Sequence, residues 1–114
     1  MTTFDVGRRA EAVAAAYLTR QGCDVLAQNW RTRWCEIDIV ACRGQTVYFC
    51  EVKYRRRSTW GAGLDYVTPK KLQQMRFAAE LWVQDAGWRG DYQLCAIEVS
   101  GESFRITGVI KDLP

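Results

Sequence analysis

The chain contains no histidine. Ser-His-Asp and Cys-His catalysis are therefore excluded, as is any histidine-ligated zinc. Its five cysteines, at positions 23, 35, 42, 50 and 95, are odd in number and include no C-x-x-C pair. That pattern argues against a zinc site and a disulfide framework, and for reduced thiols in a cytoplasmic protein. No run approaches the length of a membrane helix, and the MTTFDVGRRAEAV start lacks the apolar stretch of an export signal. Internal repeats, low-complexity segments and linkers are absent as well.

What is present suits one compact domain over 1–114, with an apolar fraction of 48% to build its core. The net charge of +3 is mildly basic and does not by itself indicate a nucleic-acid partner. The local distribution says more, because Lys53, Arg55, Arg56 and Arg57 fall close together. Such a run either contacts phosphates or is a solvated edge.

Thr3 or Asp5 can cap a first helix running to about Gln21, with Gly22 as the stop signal. Ala10, Ala14, Tyr17 and Leu18 form its apolar stripe, and Glu11 lies on the same side. An inward glutamate is either a site carboxylate or the partner of Arg8 or Arg57. Cys23 to Leu26 reads as a strand, followed by an irregular stretch in which Trp30 and Trp34 interleave with Arg31 and Arg33. Tryptophan and arginine in this arrangement can stack on bases and hold phosphates. Trp30 fits the core better, while Trp34 is open to either role.

Residues 35–57 carry the most informative pattern. Ile37, Ile39 and Ala41 alternate with Glu36, Asp38 and Val40. Val47, Phe49, Glu51 and Lys53 alternate with Tyr48, Cys50 and Val52. This is the period of two strands, and a Gly44-Gln45 loop between them makes a hairpin. That loop sets Asp38 opposite Glu51 and Glu36 opposite Lys53, with paired Cβ atoms about 4.5–5.5 Å apart. Two carboxylates so close repel unless a proton or cation lies between them, and a hard divalent cation favours such an oxygen cluster.

Beyond the hairpin, residues 55–66 form a charged, glycine-rich stretch, read as a flap with Trp60 at its tip. Gly61-Ala62-Gly63 lacks the context of a phosphate loop. Thr68-Pro69 starts a second helix, which runs to about Asp85 before Gly87. Leu72, Met75, Ala79, Trp82 and Val83 make its buried stripe, with Lys70, Lys71 and Gln74 near the start. Tyr92–Val99 and Ser103–Val109 complete a hairpin turned at Gly101-Glu102. The order is α-β-β-β-α-β-β, an α/β fold with helices packed on a mixed sheet.

Asp38 followed by Glu51-Val52-Lys53 resembles the D…E-x-K core of restriction-endonuclease-like nucleases. Gly7, Glu11, Tyr17-Leu18, Asn29, Arg31, Glu36-Ile37-Asp38, Arg57, Gly61, Val67-Thr68-Pro69 and Lys71 extend that likeness to the YraN-type family of small bacterial proteins. Ala10 and Cys35 stand where that family usually has glycine. The resemblance implies a restriction-endonuclease-like α/β/α arrangement and a metal-dependent nuclease.

In such a site Asp38 and Glu51 hold Mg²⁺ or Mn²⁺, Glu11 completes or extends the cage, and the resemblance adds the Val52 carbonyl. Lys53 orients water or offsets charge on the phosphate. Glu36 stands behind them, facing Lys53. Arg31, Arg55, Arg56, Arg57, Lys70 and Lys71 are the candidate nucleic-acid contacts. The expected substrate is DNA, branched DNA included, in repair or recombination, and a two-fold homodimer suits cleavage of both strands. The competing reading is a non-catalytic nucleic-acid-binding or repair-scaffold module on the same fold.

Overall fold

The computed structural model describes residues 1–58 and 66–114. Its elements are α1 (Thr3–Arg20), β1 (Asp24–Arg31), β2 (Glu36–Arg43), β3 (Thr46–Arg55), α2 (Pro69–Ala86), β4 (Asp91–Ser100) and β5 (Arg105–Ile110). The order is the expected α-β-β-β-α-β-β. The flap expected around Trp60 and Gly61-Ala62-Gly63 lies outside the described residues.

Both helices begin on a threonine cap. Thr2 Oγ1 accepts from the Asp5 amide, and Asp5 Oδ2 accepts in return from the Thr2 amide, each at 3.1 Å. This reciprocal box makes Thr2 the cap of α1, one residue before the earlier of the two caps, Thr3 or Asp5, read from the sequence. On α2, Thr68 Oγ1 accepts from the Lys71 amide at 3.1 Å, with Pro69 at the first helical position. Gly87, at φ 66°, ends the helix in the left-handed conformation that glycine adopts without steric cost.

The strands form one five-stranded sheet in the order β1-β2-β3-β4-β5. β1, β2 and β3 are an antiparallel meander, β4 returns through α2 to lie parallel to β3, and β5 is antiparallel to β4. α1 covers one face, burying Ala10, Ala14, Ala15 and Leu18 against Ile39, Ala41, Tyr48 and Cys50. α2 covers the other, burying Met75, Ala78, Ala79 and Trp82 against Val40, Val47, Phe49 and Leu94. The two clusters make the three-layer α/β/α arrangement that the resemblance implies. All five cysteines are free thiols, with Cys23, Cys50 and Cys95 buried.

Two elements differ from expectation. β1 runs on to Arg31, paired with β2 through Arg31↔Glu36, so the stretch after Leu26 continues the strand up to that point. Cross-strand pairing overrides the weak strand propensity of Gln28 and Asn29, and a bulge between Val25 and Ala27 absorbs the irregularity. The β4–β5 turn extends over 101–104 instead of two residues, with the Phe104 amide donating to the Gly101 carbonyl at 3.1 Å. Its cause is the Phe104 ring, buried and stacked on Tyr54 at 4.8 Å.

Candidate functional site

The hairpin adopts the expected register, from Arg43↔Thr46 next to the loop out to Ile39↔Cys50. There the ladder ends, short of the expected Asp38–Glu51 and Glu36–Lys53 pairs, and a side chain takes over from the backbone. The Val52 amide donates to Asp38 Oδ2 at 2.8 Å. Asp38 is thus fixed at the open end of the hairpin, half-buried between Ile37 and Ile39. Burial first, then the Glu51 carboxylate, pushes Asp38 up to about 7, against the Val52 amide, which favours its charged form. Glu11 and Glu36 add smaller contributions in the same direction as Glu51. Three carboxylates named from the sequence, Glu51, Glu11 and Glu36, are therefore each within electrostatic reach of Asp38.

Each of the other three carboxylates has a donor of its own. Glu11 Oε1, from α1, accepts from Asn29 Nδ2 at 2.9 Å, not from Arg8 or Arg57. Asn29 sits at φ 53° within β1, a left-handed conformation that asparagine tolerates better than most residues. That local twist belongs to the residue that holds Glu11 beside the hairpin. Glu36 Oε2 pairs with Arg31 at 3.0 Å instead of Lys53, leaving Lys53 exposed. Arg31 is therefore committed to a carboxylate, which bears on its expected role as a phosphate contact.

Lys71, near the start of α2, faces the site. It was expected among the nucleic-acid contacts, yet its Nζ lies 3.0 Å from Glu51 Oε1. The Thr68 cap explains the placement, because it fixes the first turn of α2 over the β3 face that carries Val47, Phe49 and Glu51. Lys70, its neighbour, is exposed.

The basic run divides in the same way. Arg56 and Arg57 are exposed, whereas Arg55 is half-buried, with Nε 4.0 Å from Glu98 Oε2 and its guanidinium over the Tyr66 ring at 5.4 Å. Glu98 escaped the sequence reading. It is 1% exposed, and Oε1 accepts from Thr107 Oγ1 at 2.6 Å and from Ser58 Oγ at 2.9 Å. Its signal was a lone acid in the apolar run Ala96-Ile97-Glu98-Val99. Through Ser58 and Arg55 it ties down the chain leaving β3.

Among the described residues, no three Asp, Glu, Cys or His side chains converge closely enough to hold a metal ion as they stand. The donor set nevertheless fits a hard divalent cation. It consists of oxygen ligands, and Asp38 is raised because buried negative charge there is under-compensated, which a cation would relieve. Val52 is tied to Asp38 through its amide, so the structure places the strand position but not its carbonyl in the site. Beside Glu51 and Glu36 opens a cleft of about 620 Å³, lined by the 34–36 segment and by residues 71–77 of α2.

An α/β/α fold that gathers carboxylates at the open end of its β2–β3 hairpin defines an acidic-site α/β protein. The model of the uncharacterised protein family UPF0102 matches residues 10–105, and the chain belongs to that family. This bears out the YraN-type resemblance at the level of the family. Similar proteins include a UPF0102 protein of Pseudomonas paraeruginosa, 44% identical over 74% of this chain and 68% of its own. Another, from Mycobacterium avium, is 44% identical over 77% of this chain and 72% of its own. One from Pseudomonas syringae pv. tomato is 38% identical over 90% and 84% respectively.

No helix among the described residues is long and apolar enough to cross a membrane.

Proposed function

We propose that this protein is a divalent-cation-dependent nuclease that hydrolyses phosphodiester bonds of DNA, branched DNA included. The observation that carries this reading is the half-buried Asp38 carboxyl, fixed by the Val52 amide at 2.8 Å, with Glu51, Glu11 and Glu36 each within electrostatic reach of it. Perturbed acids gathered at an open sheet end beside a cleft are where cation and phosphate chemistry concentrates.

Asp38 and Glu51 would hold Mg²⁺ or Mn²⁺, with Val52 and Glu11 completing the set. The bound cation would supply Lewis acidity and a more acidic water. The chain's own residues do the rest. Asp38 anchors β3 through the amide of Val52, the residue next to Glu51. Asn29 holds Glu11 toward the site. Lys53, exposed on the strand position after Val52, is free to meet a phosphate and offset its developing charge. Arg56, Arg57 and Lys70 supply exposed positive charge for the rest of the strand. Lys71 neutralises Glu51, and its ion pair must loosen for Glu51 to take a cation.

That same ion pair favours the second reading, a non-catalytic nucleic-acid-binding module, because it compensates Glu51 without any metal. One panel separates the two. Linear, nicked, flapped and four-way DNA, together with RNA, are incubated with Mg²⁺, Mn²⁺ or EDTA, using the parent and Asp38→Asn. Cation-dependent cleavage that disappears in Asp38→Asn supports the nuclease. Binding without cleavage on every substrate leaves the binding module.

A further inference from the structure

We propose that the cleft between the 32–36 turn and α2 is a nucleobase-binding site, with Trp34 and Phe77 as its stacking surfaces, so that the strand presented to the carboxylates is unpaired. The inference rests on the nuclease reading only for what happens at the carboxylates. The base site stands on the cleft itself.

Two large aromatic rings line the same cleft while remaining open to water, Trp34 at 70% and Phe77 at 50% exposure. The sheet has ample core for such rings: Phe49 and Trp82 are buried on the same side. Leaving a tryptophan so exposed forgoes apolar burial, so its position calls for a partner. Nor is Trp34 on a loose tip. Thr32 Oγ1 accepts from the amides of Trp34 and Cys35 at 3.1 and 3.2 Å, and the Thr32 amide donates to the Cys35 carbonyl at 2.8 Å. The turn is closed on itself and presents the ring in advance. The Arg33 guanidinium, 5.4 Å from the Trp34 ring, adds positive charge beside it.

The remaining lining suits a base. Gln73 and Gln74 are exposed amides with donors and acceptors for the edge of a base, and Met75 closes the floor. At about 620 Å³ the cleft lies within the range of small-ligand sites, roughly 300–1,000 Å³. The Glu51–Lys71 pair lines the same cleft. A base stacked here leaves its phosphate directed toward the carboxylates, with Lys71 at the junction. Duplex DNA keeps its bases stacked inside and cannot fill such a site without unpairing. A single strand, or the unpaired arm of a branched molecule, fills it at no such cost.

The test is equilibrium binding of short single-stranded DNA and RNA, a blunt duplex of the same sequence, and a single strand with abasic positions. Ca²⁺ replaces Mg²⁺ so that binding is read without cleavage. The parent should prefer either single strand to the duplex, and the abasic strand should bind as weakly as the duplex. Trp34→Ala and Phe77→Ala should each lose about tenfold in affinity for the intact single strand and little for the duplex. Trp34→Phe should keep most of that affinity, since a smaller ring still stacks. Melting temperatures should stay near the parent's, because both rings are exposed.

Equal losses on single strand and duplex, no loss in either alanine variant, or undiminished binding of the abasic strand would overturn the base site. The nuclease reading fails separately. Ring-dependent single-strand binding with no cation-dependent cleavage would remove the nuclease and keep the site. Cleavage lost in Asp38→Asn but indifferent to both rings would do the reverse.

Discussion

Asp38 has a stability consequence that can be measured without any substrate. Its carboxyl titrates near 4 in an unfolded chain but near 7 here, because burial and Glu51 disfavour the charge. Between those values the folded protein keeps a proton that the unfolded chain has released. Stability therefore falls as pH rises through that window and levels off above it. Asp38→Asn cannot titrate, yet its amide oxygen can still accept from Val52. The variant should match the parent near pH 4 and exceed it near pH 8 by up to about 4 kcal/mol, at about 1.36 kcal/mol per pH unit. Denaturant unfolding across that range checks this. A parent–variant difference that does not grow with pH would show that Asp38 is not the strained acid of the site. Where cation-dependent cleavage is found, Asp38→Asn and Glu51→Gln should each abolish it with the fold intact. Lys53→Ala should lower turnover more than affinity, since the proposed partner of its ammonium is the transition state. Single-turnover rates alongside binding constants distinguish these effects.

At the level of the element, the basic run at the end of β3 is two things joined in sequence. Arg55 serves the buried Glu98, and Arg56 and Arg57 face outward. Arg55→Ala should destabilise the protein by roughly 2–4 kcal/mol, because it withdraws a cation from a buried carboxylate. Arg56→Ala with Arg57→Ala should leave melting unchanged, weaken binding of any nucleic-acid sequence and flatten its salt dependence. If the double variant binds with the parent's salt slope, these arginines are only a solvated edge. The first turn of α2 offers a second test. Thr68→Ala should cost about 1 kcal/mol through loss of the cap. Thr68→Ser keeps the hydroxyl that accepts from Lys71 and should be close to neutral.

For the whole molecule, the carboxylates belong to different elements, so anything that binds them together must stabilise the fold. Glu11 comes from α1, Asp38 from β2 and Glu51 from β3. A divalent cation held among them should raise the melting temperature, by the equivalent of about 2.7 kcal/mol at a hundredfold excess over its Kd. The gain should grow as pH rises through about 7, where Asp38 gives up its proton to make room for the cation, and should vanish in the combined Asp38→Asn, Glu51→Gln variant. Thermal denaturation in EDTA, Mg²⁺, Mn²⁺ and Ca²⁺ measures it. An unchanged melting temperature in all four would favour the module that lacks metal chemistry.

Local rules sufficed for much of this protein. Period-two alternation and Gly44-Gln45 determined the β2–β3 register, because a one-residue slip would turn every core side chain to the wrong face. Thr68-Pro69 and Gly87 marked the bounds of α2 because caps act within a single turn. That register stops at Ile39↔Cys50, and beyond it the Asp38 side chain, bonded to the Val52 amide, lies within electrostatic reach of Glu51. Tertiary structure alone decided what those residues touch. Lys71 reaches Glu51, Asn29 reaches Glu11 and Arg55 reaches Glu98 across the layers of the fold. No spacing along the chain encodes such contacts, since long side chains choose among partners only after the sheet has twisted and the helices have docked. The cleft between Trp34 and Phe77 has the same origin: the sequence left Trp34 open to either role and gave no sign that Phe77 would line the same cleft.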